Sequence, residues 1–160
     1  MTRDPNTRPE DPFWSFSLAT YARPGVDRAC LDLQDRLGLD VNLVLFALWA
    51  GAGCGVRLAP EEMRRLADAV AAWRRDVVAP LRGVRRSLKG MPGMEPFRLR
   101  IKAAELESER LQQVTLRTLS GLNPGVGDRG AAEANLRLLL PAEGVDEDAV
   151  ALLLDAAMGV

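Results

Sequence analysis

A chain of 160 residues with 48% hydrophobic and 27% charged side chains can bury about two-thirds of its unfolded surface in one core, and it needs no metal or disulfide staple to do so. It contains no histidine. That removes the commonest general base near neutral pH, the usual neutral nitrogen ligand of zinc, and with them a serine or cysteine triad. The formal net charge of −1 averages two unlike parts: Arg74 to Lys102 holds nine basic residues against Asp76 and Glu95, and the remainder of the chain is acidic.

Residues 1–10 are polar and proline-containing with no apolar stretch, and read as a disordered leader, not a signal peptide. Asp11 followed by Pro12 then starts a helix, because the carboxylate can cap free amide groups and proline presets the first helical position. This helix is expected to reach about Ala22. After Pro24-Gly25, the residues Val26, Ala29, Cys30, Leu33 and Leu37 recur at helical spacing until Gly38, a natural terminator. Asp40 is placed to cap a third helix over about 41–52. That helix is apolar nearly all round, as an enclosed element is, and its glycine-rich end suits close approach by another helix.

The uncharged run from Val41 to Val56 falls short of the roughly 20 apolar residues that span a bilayer, so no membrane segment is expected. Cys30 and Cys54 make no CxxC spacing and read as reduced, buried small hydrophobes of a cytoplasmic protein.

From Pro60, an apolar stripe through Met63, Leu66, Val70, Trp73, Val77, Leu81, Val84 and Leu88 predicts a long amphipathic helix with an arginine-rich polar face. Pro80 is expected to bend or interrupt it. Gly90-Met91-Pro92-Gly93-Met94 is a turn, and a second long helix succeeds it over about 96–120. Its stripe is Ile101, Ala104, Ser108, Leu111, Thr115 and Thr118. The two form a helical hairpin. Residues 121–130 read as a turn-rich linker, leading to two short helices around 131–140 and 146–158. No segment shows the alternation of a strand. The fold class is therefore all-α: a helical-bundle domain of about five core helices over 11–120, with a linker and a mobile C-terminal helical pair over 121–160.

Two groups of residues carry candidate chemistry. Arg82, Arg85, Arg86, Lys89, Arg98, Arg100 and Lys102 flank the turn at 90–94 and would present a cationic patch to an acidic protein or to RNA. No RNA-binding signature accompanies them. Glu105 and Glu109, four apart on the second long helix, are placed to pair with arginines of the first. The second group is Asp32, Asp35, Asp40 and Asn42, whose oxygens could converge on Mg²⁺ and, with arginines, on a phosphorylated ligand. Salt bridges from these aspartates to Arg74, Arg82, Arg85 or Arg86 are the plainer reading, and Asp40 alone is best explained as a cap. No cofactor is called for. The reading leans away from an enzyme and towards an interaction or accessory module acting through the arginine-rich hairpin. Homo-oligomer assembly through the hairpin's apolar faces is a third expectation.

The segments FWSFSLATYARPGV, ACLDLQDRLGLDVNLVLFALWA, WRRDVVAPLRGVRRSLKG and IKAAELESE resemble the proteobacterial domain-of-unknown-function family 2390 over about residues 11–120. The resemblance implies a bacterial cytoplasmic protein and gives no activity, ligand or catalytic residue to carry over.

Overall fold

Asp11 caps the first helix as its position suggests: its side-chain oxygen accepts from the backbone N–H of Phe13 at 2.9 Å and of Trp14 at 3.2 Å. The computed structural model describes residues 10–160, so the leader expected at the N-terminus lies, but for Glu10, outside the described residues. Every regular element in them is helical. Two compact units emerge: one runs to Pro60 and resumes over Gly121–Val160, and the other is Glu61–Ser120.

The first unit contains α1 (Pro12–Tyr21), α2 (Val26–Leu37), α3 (Val41–Leu48), α7 (Arg129–Arg137) and α8 (Glu147–Met158). Gly38 ends α2 in the left-handed region at φ 66°, and the N–H of Leu39 returns to the carbonyl of Leu33, a closure that a side chain at this position would strain. Asp40 caps α3 through the N–H of Asn42 at 3.0 Å. Every residue from Asn42 to Gly51 is buried, as an element apolar on all sides demands. Phe13 stacks on Trp49 at 5.1 Å between centroids and meets the edge of Phe46 at 5.6 Å.

The C-terminal helices, expected as a mobile addition, belong to this core. Ala132 and Leu136 of α7 and Val150, Leu153 and Leu154 of α8 are buried in one cluster with Val26, Cys30, Leu33, Val44 and Leu48. Their approach depends on the C-terminal end of α3. At Trp49–Gly53 the helix widens into a π turn, and the backbone of Ala131 and Ala132 lies directly on Gly51, where a Cβ would have no room. The loop before α7 is tied to the same turn: Gly125 donates to the carbonyl of Gly53, and Asp128 to that of Gly51, each at 2.9 Å.

Asn135 secures the other side. Fully buried, it accepts from the N–H of Leu58 at 2.7 Å and donates to the carbonyls of Val56 at 2.8 Å and Ala47 at 3.3 Å. The Val56 and Leu58 groups lie where the chain leaves the π turn and have no helical ladder to satisfy them. Asn135→Leu keeps the volume but removes the side-chain partner of the Leu58 N–H and the Val56 carbonyl, and it is expected to cost about 3 kcal/mol in urea unfolding monitored by tryptophan fluorescence.

The second unit contains α4 (Pro60–Trp73), α5 (Ala79–Leu88) and α6 (Glu95–Ser120). α4 and α5 are one long helix interrupted by a second π turn at Arg74–Val78. Pro80 has no N–H, and its ring would collide with the carbonyl four residues back in a regular helix. The wide turn just before it absorbs the mismatch. The indole N–H of Trp73 donates to the carbonyl of Ser108 on α6 at 2.9 Å.

The stripe expected to bury α6 is turned outward. Ala104, Leu111, Thr115 and Thr118 are exposed or half-exposed and Ile101 is half-buried, so only Ser108 of that row is enclosed. The buried row is Glu105, Ser108, Gln112, Gln113 and Leu116. Its polar side chains are retained because they have partners: the Ser108 hydroxyl returns to the Glu105 carbonyl at 2.6 Å, and Glu105 meets two arginines.

Candidate cationic interface

Glu105 sorts the basic residues of the hairpin into two groups. It is 6% exposed and receives Arg82 Nε at 3.1 Å on one carboxylate oxygen and Arg85 Nε on the other. Arg82 also reaches Glu109 at 3.1 Å. Burial by itself would raise the Glu105 carboxyl, but the hydrogen bonds from Arg85 and Arg82 outweigh it and hold the group below its ordinary range. Arg98 forms a fork with Glu95 in the first turn of its own helix, at 2.6 and 2.7 Å. The pairing of Arg82 and Arg85 comes from α6, as the spacing of Glu105 and Glu109 suggests.

Arg82, Arg85 and Arg98 are thus spent inside the unit. The other four candidates, Arg86, Lys89, Arg100 and Lys102, are exposed and form no ion pair among the described residues. The apolar surroundings are equally open: the unbroken stretch from Ala79 to Ala104 has no buried residue, and Met91, Met94, Phe97 and Leu99 are each more than two-fifths exposed.

Helical geometry gives the hairpin two different sides. α5 and α6 run antiparallel, with Arg82 and Arg85 facing Glu105 and Glu109. With 100° per residue on each helix, Leu81, Val84 and Leu88 of α5 fall on the same side as Phe97, Ile101, Ala104 and Leu111 of α6. Arg86 and Lys102 fall on the opposite side, with Leu99 and Leu106, while Lys89 stands at the end of α5. Arg100 lies at the outer edge of the apolar side, its guanidinium 5.9 Å from the Phe97 ring centroid.

The second candidate group is dispersed among structural duties. Asp32 pairs with Arg36 at 3.0 Å, Asp35 is exposed, Asp40 caps α3, and Asn42 is buried at the start of α3. Among the described residues no group of three or more histidine, cysteine, aspartate or glutamate side chains is placed to hold a metal ion. Cys30 is buried in the core, and desolvation, reinforced by Asp27, pushes its thiol up to about 12, which suits packing and not nucleophilic attack. No helix among the described residues is long and apolar enough to cross a membrane.

The model of the family described as "Protein of unknown function (DUF2390)" matches residues 12–116, about two-thirds of the chain, and the chain belongs to that family. No curated protein and no solved structure matches it.

Proposed function

We propose that this DUF2390 protein is a non-catalytic interaction module that offers the basic side of its α5–α6 hairpin to an acidic protein. The observation that carries the reading is the contrast within the hairpin. Arg82, Arg85, Arg98 and Arg75 are each neutralised by a bonded carboxylate, whereas Arg86, Lys89 and Lys102 stand exposed with no salt bridge among the described residues, Lys102 acting on Glu95 only at longer range. Cations left without intramolecular ion partners, next to open apolar side chains, suit a partner that brings carboxylates and a little apolar surface of its own. A protein is favoured over RNA because single-stranded RNA needs aromatic faces to stack on. Phe97 is the one ring in this stretch of hairpin, and it lies on the other side. The buried, raised thiol of Cys30 and the lack of histidine in the sequence support the non-catalytic half of the reading.

The test is capture of partners by the full chain at low and high salt, with and without nuclease. It compares wild type with Arg86→Glu/Lys102→Glu and with Arg28→Glu as a control on the other unit. The expected result is a protein whose capture survives nuclease, falls with salt, and falls roughly tenfold in the double reversal but not in the control. Capture indifferent to the reversal, or abolished by nuclease, overturns the reading. Arg82 and Arg85 are unsuitable probes, since reversing either one disrupts the ion network that ties α5 to α6.

A further inference from the structure

The apolar side of the hairpin has a register of its own. Phe97, Ile101, Ala104, Ser108 and Leu111 succeed one another at alternating steps of four and three residues, the spacing of a coiled-coil seam. Such a seam normally faces another helix. Here α5 contacts the neighbouring polar row instead, and although Ser108 is enclosed within the unit, Phe97 and Leu111 remain 43% and 39% exposed, with Val84 of α5 beside them at 43%. A hairpin is a single layer of helices, and a stable arrangement gives it a second.

We infer that a second copy of this chain supplies that layer: two hairpins pack apolar side to apolar side into a four-helix bundle, with α6 antiparallel to its counterpart. The charges choose this occupant. Arg100 and Glu107 sit on the same outer edge of the seam, one before and one after Ala104, seven residues apart. A two-fold axis near Ala104 places Arg100 opposite Glu107 of the partner subunit, and the symmetry makes the contact twice. A parallel pairing would carry the two outer edges to opposite sides of the bundle and lose this contact. Glu107 is 54% exposed even while bonded to Arg110, so it can serve both. Ala104, a small exposed residue at the centre of the seam, lets the two backbones come close. This contact uses the side of the hairpin opposite to Arg86 and Lys102, so it stands independently of the proposed acidic partner.

Sedimentation equilibrium of the full chain tests the inference. Wild type is expected at twice the 17.4 kDa chain mass at micromolar concentration. Arg100→Glu and Glu107→Arg should each weaken the dimer roughly tenfold or more, and the double swap should restore it. A second readout does not depend on affinity: Ala104→Cys should cross-link to a dimer under mild oxidation, while Leu106→Cys, on the other side of α6, should not. Cys30 and Cys54 are buried and do not compete. A monomer throughout, a dimer indifferent to the charge swap, or equal cross-linking at both positions overturns the proposal.

Discussion

Gly51→Ala is expected to cost about 4 kcal/mol or more and to abolish the cooperative unfolding of the unit that holds α1–α3, α7 and α8. One methyl group has this effect because of what it would meet. The atoms that a Cβ at Gly51 would strike are the backbone N and Cα of Ala132 and the carbonyl carbon of Ala131, none of which can rotate away. To make room, α7 must withdraw, and with it go the burial of Ala132 and Leu136, the bond from Asp128 to the Gly51 carbonyl, and the three hydrogen bonds of Asn135. Gly83→Ala is the matched control. That glycine lies inside α5 with nothing within 4 Å of the added carbon, so the same substitution should stabilise its helix by about 0.5–1 kcal/mol. Urea unfolding of the two variants, monitored by far-UV circular dichroism, separates steric exclusion from helix propensity. If Gly51→Ala behaves like Gly83→Ala, α7 does not seat on the π turn.

The Gly51 contact also marks where sequence reasoning succeeds and where it stops. Signals that act within a few residues were legible: Asp11-Pro12 and Asp40 start helices, Gly38 ends one, and the unbroken apolar run of α3 announces an enclosed element with a glycine-rich end open to a neighbour. The identity of that neighbour was not legible, because α7 lies some eighty residues away and its short sequence looks like a peripheral helix. Asn135 was missed for a related reason. Its value comes chiefly from the Val56 carbonyl and the Leu58 N–H, which lie in the irregular segment after the π turn, where no side-chain pattern records their need for a partner.

In α6 the pattern pointed to the wrong row. Hydrophobic spacing marks Ile101, Ala104 and Leu111, whereas the unit encloses Glu105, Gln112 and Gln113, which can be buried only because partners are present. The local charge of the basic segment was readable as a total. Which of its cations are neutralised depends on the pairing of α5 with α6, and that emerges only in three dimensions.

Glu105→Gln is expected to destabilise the α4–α6 unit by about 3 kcal/mol, more than removal of any exposed carboxylate in the chain. The amide keeps the shape but leaves Arg82 and Arg85, whose side chains are only 21% and 25% exposed, without the charge that justified their desolvation. Glu109 still reaches Arg82, so Arg85 bears most of the loss. Replacing the three-residue cluster together, as Arg82→Met/Arg85→Leu/Glu105→Leu, should recover most of the stability, since the desolvation penalty disappears along with the attraction.

Acid provides an independent check of the sign. The folded carboxyl of Glu105 lies below its ordinary value of 4.5, so its contribution is fully present above that value and is lost as pH falls through the folded one. Wild-type stability should therefore drop below about pH 4.5, and a large part of that drop should be missing in Glu105→Gln. Glu62, Glu95 and Glu147 are also held low by arginines, but solvent screens them and they should add little. A wild-type and Glu105→Gln pair with parallel stability profiles between about pH 7 and about pH 3 would show that the carboxylate is not what fastens α5 to α6. The basic side of the hairpin would then lack the rigid base on which its exposed cations are displayed.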